Sequence, residues 1–442
     1  MKPSRFNVRI PLTDNTCLIF NTFSDSRVVV DRAALEAIER CHCPESLTDE
    51  QRSHLDDLKV LGIVLDDADD EDRQLEYWFQ RIKFDCDTVN ATILTTMACN
   101  MDCVYCFEQG VDSVRSMDKS MVSQVCSWVL ERVAEVRPRD LTVTFFGGEP
   151  LLNMDAVYGI GDFLYDGAQR QGVILNLELI TNGLLLTREV VERLLPLGLR
   201  WAKITLDGDR SAHDRMRPRK RFRNNGGASA GTYDEIIENL KTIRGLVPLI
   251  IGGNYDRGTK DSIPALLDDL IAKGFRPEHF KKIAFKPILA FPGHKTSSAH
   301  VIEACTYAET NMEDFVWLLT ETEARGLPSY RKLGLGPCEA MRDNTYTIDP
   351  GGNLYKCAAM AGRKEFAIGH ISDDLEDILF SPQNVAYMTS DAWRKCKKCP
   401  FVPLCGGGCR LGAVSATGTF DAISCEREYF EKVTTRLVAS EV

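Results

Sequence analysis

From residue 88 onward the apolar positions of the chain fall into two alternating rhythms. Short runs dense in Val, Ile, Leu and Thr (NATILTT, LTVTFFGG, LNLELITN, WAKITLDG, PLIIGGN and KIAFKPI) have the length and composition of buried strands. Between them lie stretches at helical spacing. MVSQVCSWVLERV carries apolar residues at 122, 125, 126, 129, 130 and 133. TREVVERLLPLG begins at Thr187, placed to cap a helix, and TYDEIIENLKTI has Thr232 and Glu235 at capping-box spacing. Six successive strand–helix units predict a parallel sheet, as an incomplete barrel or a doubly wound fold. In both, chemistry collects just after the strand ends.

Two regions flank this one. Residues 1–87 alternate strand-like pieces (FNVRIPL, CLIFNTF, SRVVVD) with helical ones (AALEAIERC, DEQRSHLDDLKVLG), suggesting a small winged-helix-like module. The acidic run Asp66, Asp67, Asp69, Asp70, Glu71 and Asp72 reads as a solvated connector, since nothing spaces it like a calcium loop. Residues 329–442 are rich in Gly, Pro and Cys, with little helical period before REYFEKVTTRLVASEV. Such a segment is expected to bury little apolar surface and to need metal to hold its shape. The division is therefore 1–87, 88–328 and 329–442.

Charge narrows the partners. A formal net charge of -11 over 442 residues argues against a general binder of nucleic acid or anionic membrane. No apolar run approaches a membrane span or a signal-peptide core, so a cytoplasmic location is expected. The 16 cysteines then point to metal or catalysis rather than to a disulfide framework.

Three of them, Cys99, Cys103 and Cys106, follow the first strand of the repeating region in the spacing C-x3-C-x2-C. A closed zinc site wants four protein ligands, and no fourth Cys or His lies in this loop. A four-iron cluster held by three cysteines keeps one iron open to an exogenous ligand.

With Tyr105 before the last cysteine, this stretch resembles the signature of radical S-adenosylmethionine (SAM) enzymes. The resemblance implies a partial (β/α)6 barrel. It also implies SAM chelated to the open iron and cleaved by an electron from the reduced cluster to a hydrogen-abstracting 5′-deoxyadenosyl radical. FFGGEP after the second strand resembles the family's turn for the methionine amino group, here Gly147, Gly148 and Glu149. Asn182 in ITNG and Thr205 in ITLDG sit where the family contacts the cofactor's ribose and methionine parts, and HDRMR (213–217) resembles a further family pattern. One departure is plain. Where related enzymes often show Arg-x-Asn after the fifth strand, this chain has Gly252 and Asn254.

The C-terminal cysteines resemble the SPASM extension of such enzymes, which implies two auxiliary [4Fe-4S] clusters, three in all. By family pattern one takes Cys338, Cys357 and Cys409, and the other Cys396, Cys399, Cys405 and Cys425. The first set lacks a fourth cysteine, so either a distant residue such as Cys86 or Cys305 closes it or one iron stays open. Cys126 lies on an apolar helix face and reads as core, and Cys41 and Cys43 read as structural.

The resemblance implies a maturase of ribosomal peptides. Its N-terminal module would bind a leader peptide by strand addition, and a flavodoxin- or ferredoxin-like protein would donate electrons. The alternatives are a sulfatase-maturing enzyme, against which Ala358 counts because that group typically carries Asp there, and a non-catalytic iron–sulfur or zinc protein.

Overall fold

The computed structural model describes residues 1–108, 116–220, 231–288, 312–329 and 336–440. The chain begins with β1 (Lys2–Pro3) and an antiparallel meander of β2 (Asn7–Pro11), β3 (Thr16–Asn21) and β4 (Arg27–Asp31). Helices α1 (Arg32–Glu39) and α2 (Asp49–Val60) follow, and β5 (Val64–Leu65) returns to pair with β1. Asp31 caps α1, and Thr48 with Gln51 forms a capping box on α2. Ile19, Val30, Ala37, Ile38, Leu55, Leu58 and Ile63 fill the core between meander and helices.

The acidic connector is only partly a solvated linker. Asp70 caps α3 (Glu71–Lys83) through the Arg73 amide, and Glu71 and Asp72 occupy its first turn, where the helix dipole favours carboxylates. Glu71 also accepts from the Ser4 hydroxyl at 2.6 Å and the Arg5 amide at 3.1 Å, so it ties the helix to the N-terminal module.

Next come the six parallel strands: β6 (Thr88–Thr96), β7 (Asp140–Gly147), β8 (Ile174–Thr181), β9 (Leu199–Thr205), β10 (Leu249–Tyr255) and β11 (Phe280–Pro287). Crossovers run through α4 (Lys119–Val136), α5 (Met154–Gln171), α6 (Arg188–Leu194), α7 (Arg210–Met216), α8 (Tyr233–Ile243) and α9 (Ile263–Ala272), and α10 (Met312–Ala324) follows. Burial alternates along the strands: Leu141, Val143 and Phe145 are buried, whereas Thr142, Thr144 and Phe146 are less so. The sheet does not close, since β6 pairs with β12 (Thr345–Ile348) rather than with β11.

Thr187 caps α6 as its sequence position predicts. Thr232 does not form the expected capping box. Its hydroxyl donates to the Arg217 carbonyl at 3.0 Å, and the Asp214 carboxylate instead accepts from the Thr232 and Tyr233 amides, at 2.7 and 2.9 Å.

The C-terminal region is more ordered and more apolar than its composition suggests. β12, β13 (Asn353–Tyr355) and β14 (Gly369–His370) extend the barrel sheet, with a turn held by Asp349, which accepts from the Gly351 and Asn353 amides. Its apolar surface is shared with the N-terminal region. Phe401, Leu404 and Phe430 pack with Val8, Ile10, Leu18 and Phe20, while Trp393 and Val402 pack with Phe6, Leu75 and Phe79. Metal is therefore not the segment's sole means of holding shape. No helix among the described residues is long and apolar enough to cross a membrane.

Candidate active site at the strand ends

The loop after β6 carries Cys99, Cys103 and Cys106 to the end of the barrel where β7 to β10 also finish. All three thiols line one cavity of about 150 Å³ together with Tyr105, Gly147, Gly148, Asn182, Thr205, Arg217 and Asn254. Residues from five strand ends thus meet there.

The glycines of the GGE turn hold the cysteine loop at close range. The Gly148 amide donates to the Thr96 carbonyl at 3.1 Å and the Glu149 amide to the Ala98 carbonyl at 2.9 Å. A Cβ on Gly147 would collide with the Thr96 carbonyl, and one on Gly148 with the carbonyls of Met97 and Ala98. Gly147 also has φ +126, a conformation that favours glycine. Glycine is required here by the approach of two backbones.

Glu149 is fully buried, and both oxygens are engaged. Oε1 accepts from the Thr181 hydroxyl (2.8 Å) and the Leu151 amide (3.1 Å), and Oε2 from the Asn182 amide (2.7 Å). In this arrangement it fastens the end of β7 to the end of β8. Asn182, so placed, turns its side-chain amide to Asn100 Oδ1 (2.7 Å) and to the Cys99 sulfur (3.8 Å).

A second buried network locks the loop from the other side. The Tyr105 hydroxyl donates to Asp207 Oδ2 and accepts from Arg217 (2.6 Å) and Asn254 (3.0 Å). The Asn254 amide donates to the other Asp207 oxygen at 2.7 Å. The Asp207 backbone N–H donates to His213 Nδ1 at 3.3 Å, which puts that ring's proton on Nε2. Burial, and then the Arg217 charge, push His213 down to about 3, so it is neutral. The HDRMR stretch therefore supplies Arg217 to the cavity, Asp214 as a helix cap and His213 as a buried support.

The donor set fits an iron–sulfur cluster. No three His, Cys, Asp or Glu side chains among the described residues converge as tightly as a single ion demands. A cubane instead holds its cysteines apart, one per iron corner. Burial pushes the Cys103 thiol up to about 12 and Cys106 to about 11, a cost that cationic iron offsets on binding thiolate. Glu108 also lines the cavity. Its Oε1 is buried without a hydrogen-bond partner, and burial raises its carboxyl to about 7. It is a fitting acceptor for a ligand ammonium, which sequence reading missed because Glu108 belongs to no spaced motif.

The C-terminal cysteines gather in two sets. Burial, then the neighbouring Cys338 and Cys409 thiols, push Cys357 up to about 12. Cys396, Cys399, Cys405 and Cys425 line one cavity of about 710 Å³. Between Cys405 and Cys409, Gly406, Gly407 and Gly408 have φ of +59, +90 and +87, a left-handed run that carries the chain from one set to the other. Cys126 and Cys41 are fully buried. Cys86 is exposed, its thiol donating to the Phe84 carbonyl at 3.6 Å, and Cys305 lies outside the described residues.

Residues 93–270 match the family described as the Radical SAM superfamily. The cysteine-type anaerobic sulfatase-maturating enzyme of Clostridium novyi (strain NT) is 24% identical over 77% of this chain and 93% of that relative. The sporulation killing factor maturation protein SkfB of Bacillus subtilis (strain 168) is 24% identical over 42% of this chain and 40% of its own length. Among solved structures, native anSMEcpe with bound AdoMet aligns with TM-score 0.61 and 18% identity, over 79% of this chain and 99% of that one. Streptococcus suis SuiB bound to precursor peptide SuiA aligns with TM-score 0.55 and 13% identity, over 96% of this chain and 98% of that one.

Proposed function

We propose that the chain, whose residues 93–270 match the Radical SAM superfamily, is a peptide maturase, which abstracts hydrogen from a ribosomally made peptide and installs a cross-link, an epimerisation or a similar change. When bound, a reduced [4Fe-4S] cluster and S-adenosylmethionine supply the hydrogen-abstracting 5′-deoxyadenosyl radical. The observation that carries the reading is the three-cysteine loop, clamped by the GGE turn on one side and by the Tyr105–Asp207–Arg217 network on the other.

In this reading Cys99, Cys103 and Cys106 hold the cluster. Tyr105, Gly147, Gly148, Glu149, Asn182 and Thr205 hold or position the cofactor. Arg217 offers a cation for a carboxylate, and the orphan oxygen of Glu108 accepts from an ammonium. The two C-terminal cysteine sets hold auxiliary clusters, with a flavodoxin- or ferredoxin-like protein as electron donor.

Support for a peptide substrate comes from the N-terminal module. The likeness to SuiB spans 96% of the chain, too much to omit residues 1–87, and SuiB is solved bound to a precursor peptide. Among the described residues β4 pairs only with β3, so its outer edge can accept a leader strand. Sulfatase maturation is a second reading, favoured by the Clostridium novyi relative. Ala358 after Cys357 counts against it.

The deciding experiment is the mass of a short peptide encoded beside this gene and co-expressed anaerobically. Loss of two hydrogens, or unchanged mass with deuterium taken up from heavy water, supports the maturase. Conversion of a cysteine or serine to formylglycine in a sulfatase-derived peptide supports the second reading.

A further inference from the structure

The inner face of the barrel holds a second cavity, of about 310 Å³, walled by three neighbouring strands. Register puts Thr205 of β9, Gly252 of β10 and Ala284 of β11 side by side, a row of short side chains that hollows the wall. The rows flanking it carry lysines. Lys203 and Lys282 lie one step toward the strand starts, either side of Ile250, and Lys286 lies one step toward the strand ends, beside Asn254.

Gly252, where related enzymes often carry arginine, explains how Lys203 fits. A Cβ at that position would stand 2.8 Å from Lys203 Cε, so the missing side chain is the space the lysine occupies. Lys203 and Lys286 form no ion pair among the described residues, and burial followed by the charges of Lys286 and Lys282 push Lys203 down to about 8. Across the hollow, Glu426 is the one carboxylate of the described lining, facing three lysines.

The position matters as much as the charge. Thr205 and Asn254 line this cavity and also the cavity of the cysteine loop, so the two share a wall. Glu426 follows Cys425 and also lines the cavity of the second cysteine set. A group bound among the lysines thus sits between the proposed radical source and an auxiliary cluster site.

We infer that this cavity is a carboxylate subsite for the peptide, in which Lys203, Lys282 and Lys286 seat an acidic group and thereby fix which neighbouring residue lies against the cysteine-loop cavity. The inference rests on the peptide-maturase reading. An incoming carboxylate relieves lysine–lysine repulsion and gains charge-assisted hydrogen bonds in a partly desolvated site. The group is either an Asp or Glu side chain or a C-terminal carboxylate.

The test uses iron-loaded full-length protein with S-adenosylmethionine bound. The probes are three short peptides of Gly and Ser: a blocked one with a central Asp, a blocked one with Asn in its place, and the Asn peptide with a free C-terminus. Dissociation constants are measured by calorimetry. The Asp peptide, or the free-carboxylate peptide if that is the source, is expected to bind at least about tenfold tighter than the blocked Asn peptide. Lys203→Met and Lys286→Gln should each shrink that preference severalfold. Lys286 is exposed, so its variant decides the matter if Lys203→Met fails to fold. Equal binding of the three peptides to the wild type would overturn the inference, as would variants that lose S-adenosylmethionine affinity while keeping the peptide preference. Release of 5′-deoxyadenosine by the wild type is measured in parallel. Its absence sinks the function proposed above, whereas its presence without acidic selectivity sinks only the subsite.

Discussion

Gly148→Ala is the smallest change that bears on how the cysteine loop is held. The added methyl has no flexible neighbour to push aside, because it meets the backbone carbonyls of Met97 and Ala98. Making room means moving residues 96–98, which are tied to this turn by the Gly148–Thr96 and Glu149–Ala98 hydrogen bonds at 3.1 and 2.9 Å. Overpacking costs about 1–3 kcal/mol, and loosening two hydrogen bonds adds about 1 kcal/mol each. The combined cost of about 3–5 kcal/mol falls on the segment that leads into Cys99. Iron per chain after anaerobic reconstitution is the assay, with about twelve irons expected from the three four-iron clusters proposed above. The variant should fall toward about eight, with the C-terminal clusters retained. Gly159→Ala is the control: it lies inside α5, and its Cβ would meet Val122 at an ordinary 3.5 Å. That substitution should stabilise by about 0.5–1 kcal/mol and leave iron unchanged. Full iron and unaltered S-adenosylmethionine binding in Gly148→Ala would refute the claim that the turn holds the loop.

Glu149→Gln keeps one acceptor oxygen and turns an N–H2 toward donors, so stability should drop by about 1–3 kcal/mol, read from denaturant midpoints. Asn182→Ala removes the amide that donates to the Cys99 sulfur, and the midpoint potential of the loop cluster should move to a more negative value in an EPR-monitored titration. Lys203 has a folded pKa of about 8 against an ordinary 10.5, so between these values the unfolded chain binds more protons. Stability contributed at this site therefore rises with pH across that window. Lys203→Met should flatten the rise relative to wild type in denaturant midpoints, with Lys282, Lys286 and Glu426 as the other charged groups facing the cavity.

The strand–helix rhythm and the C-x3-C-x2-C loop were legible because both are local. Each strand is a short apolar run, and three thiols in eight residues have few other uses. Features made by residues distant in sequence were not. Asp214 displaces the expected Thr232 cap from 18 residues away, and no local pattern announces it. The β12–β13 hairpin carried a readable Asp-Pro-Gly-Gly turn between short alternating runs, but Gly, Pro and Cys content obscured it. Lysines on β9 and β11 look like solvent-facing positions by alternation. Only the register of three strands brings Lys203, Lys282 and Lys286 around one hollow. Glycine identity at 147 and 148 was visible, while its cause, contact with the cysteine-loop backbone, needed the fold.

The central claim, that the loop of Cys99, Cys103 and Cys106 builds a centre for reductive cleavage of S-adenosylmethionine, is tested by counting 5′-deoxyadenosine from the dithionite-reduced, iron-loaded protein. The account predicts release by the wild type. It predicts none from the triple Cys→Ala variant, which loses about four irons while its C-terminal region stays folded. No release from fully loaded wild type supplied with its substrate peptide, or undiminished release from the triple variant, would contradict it.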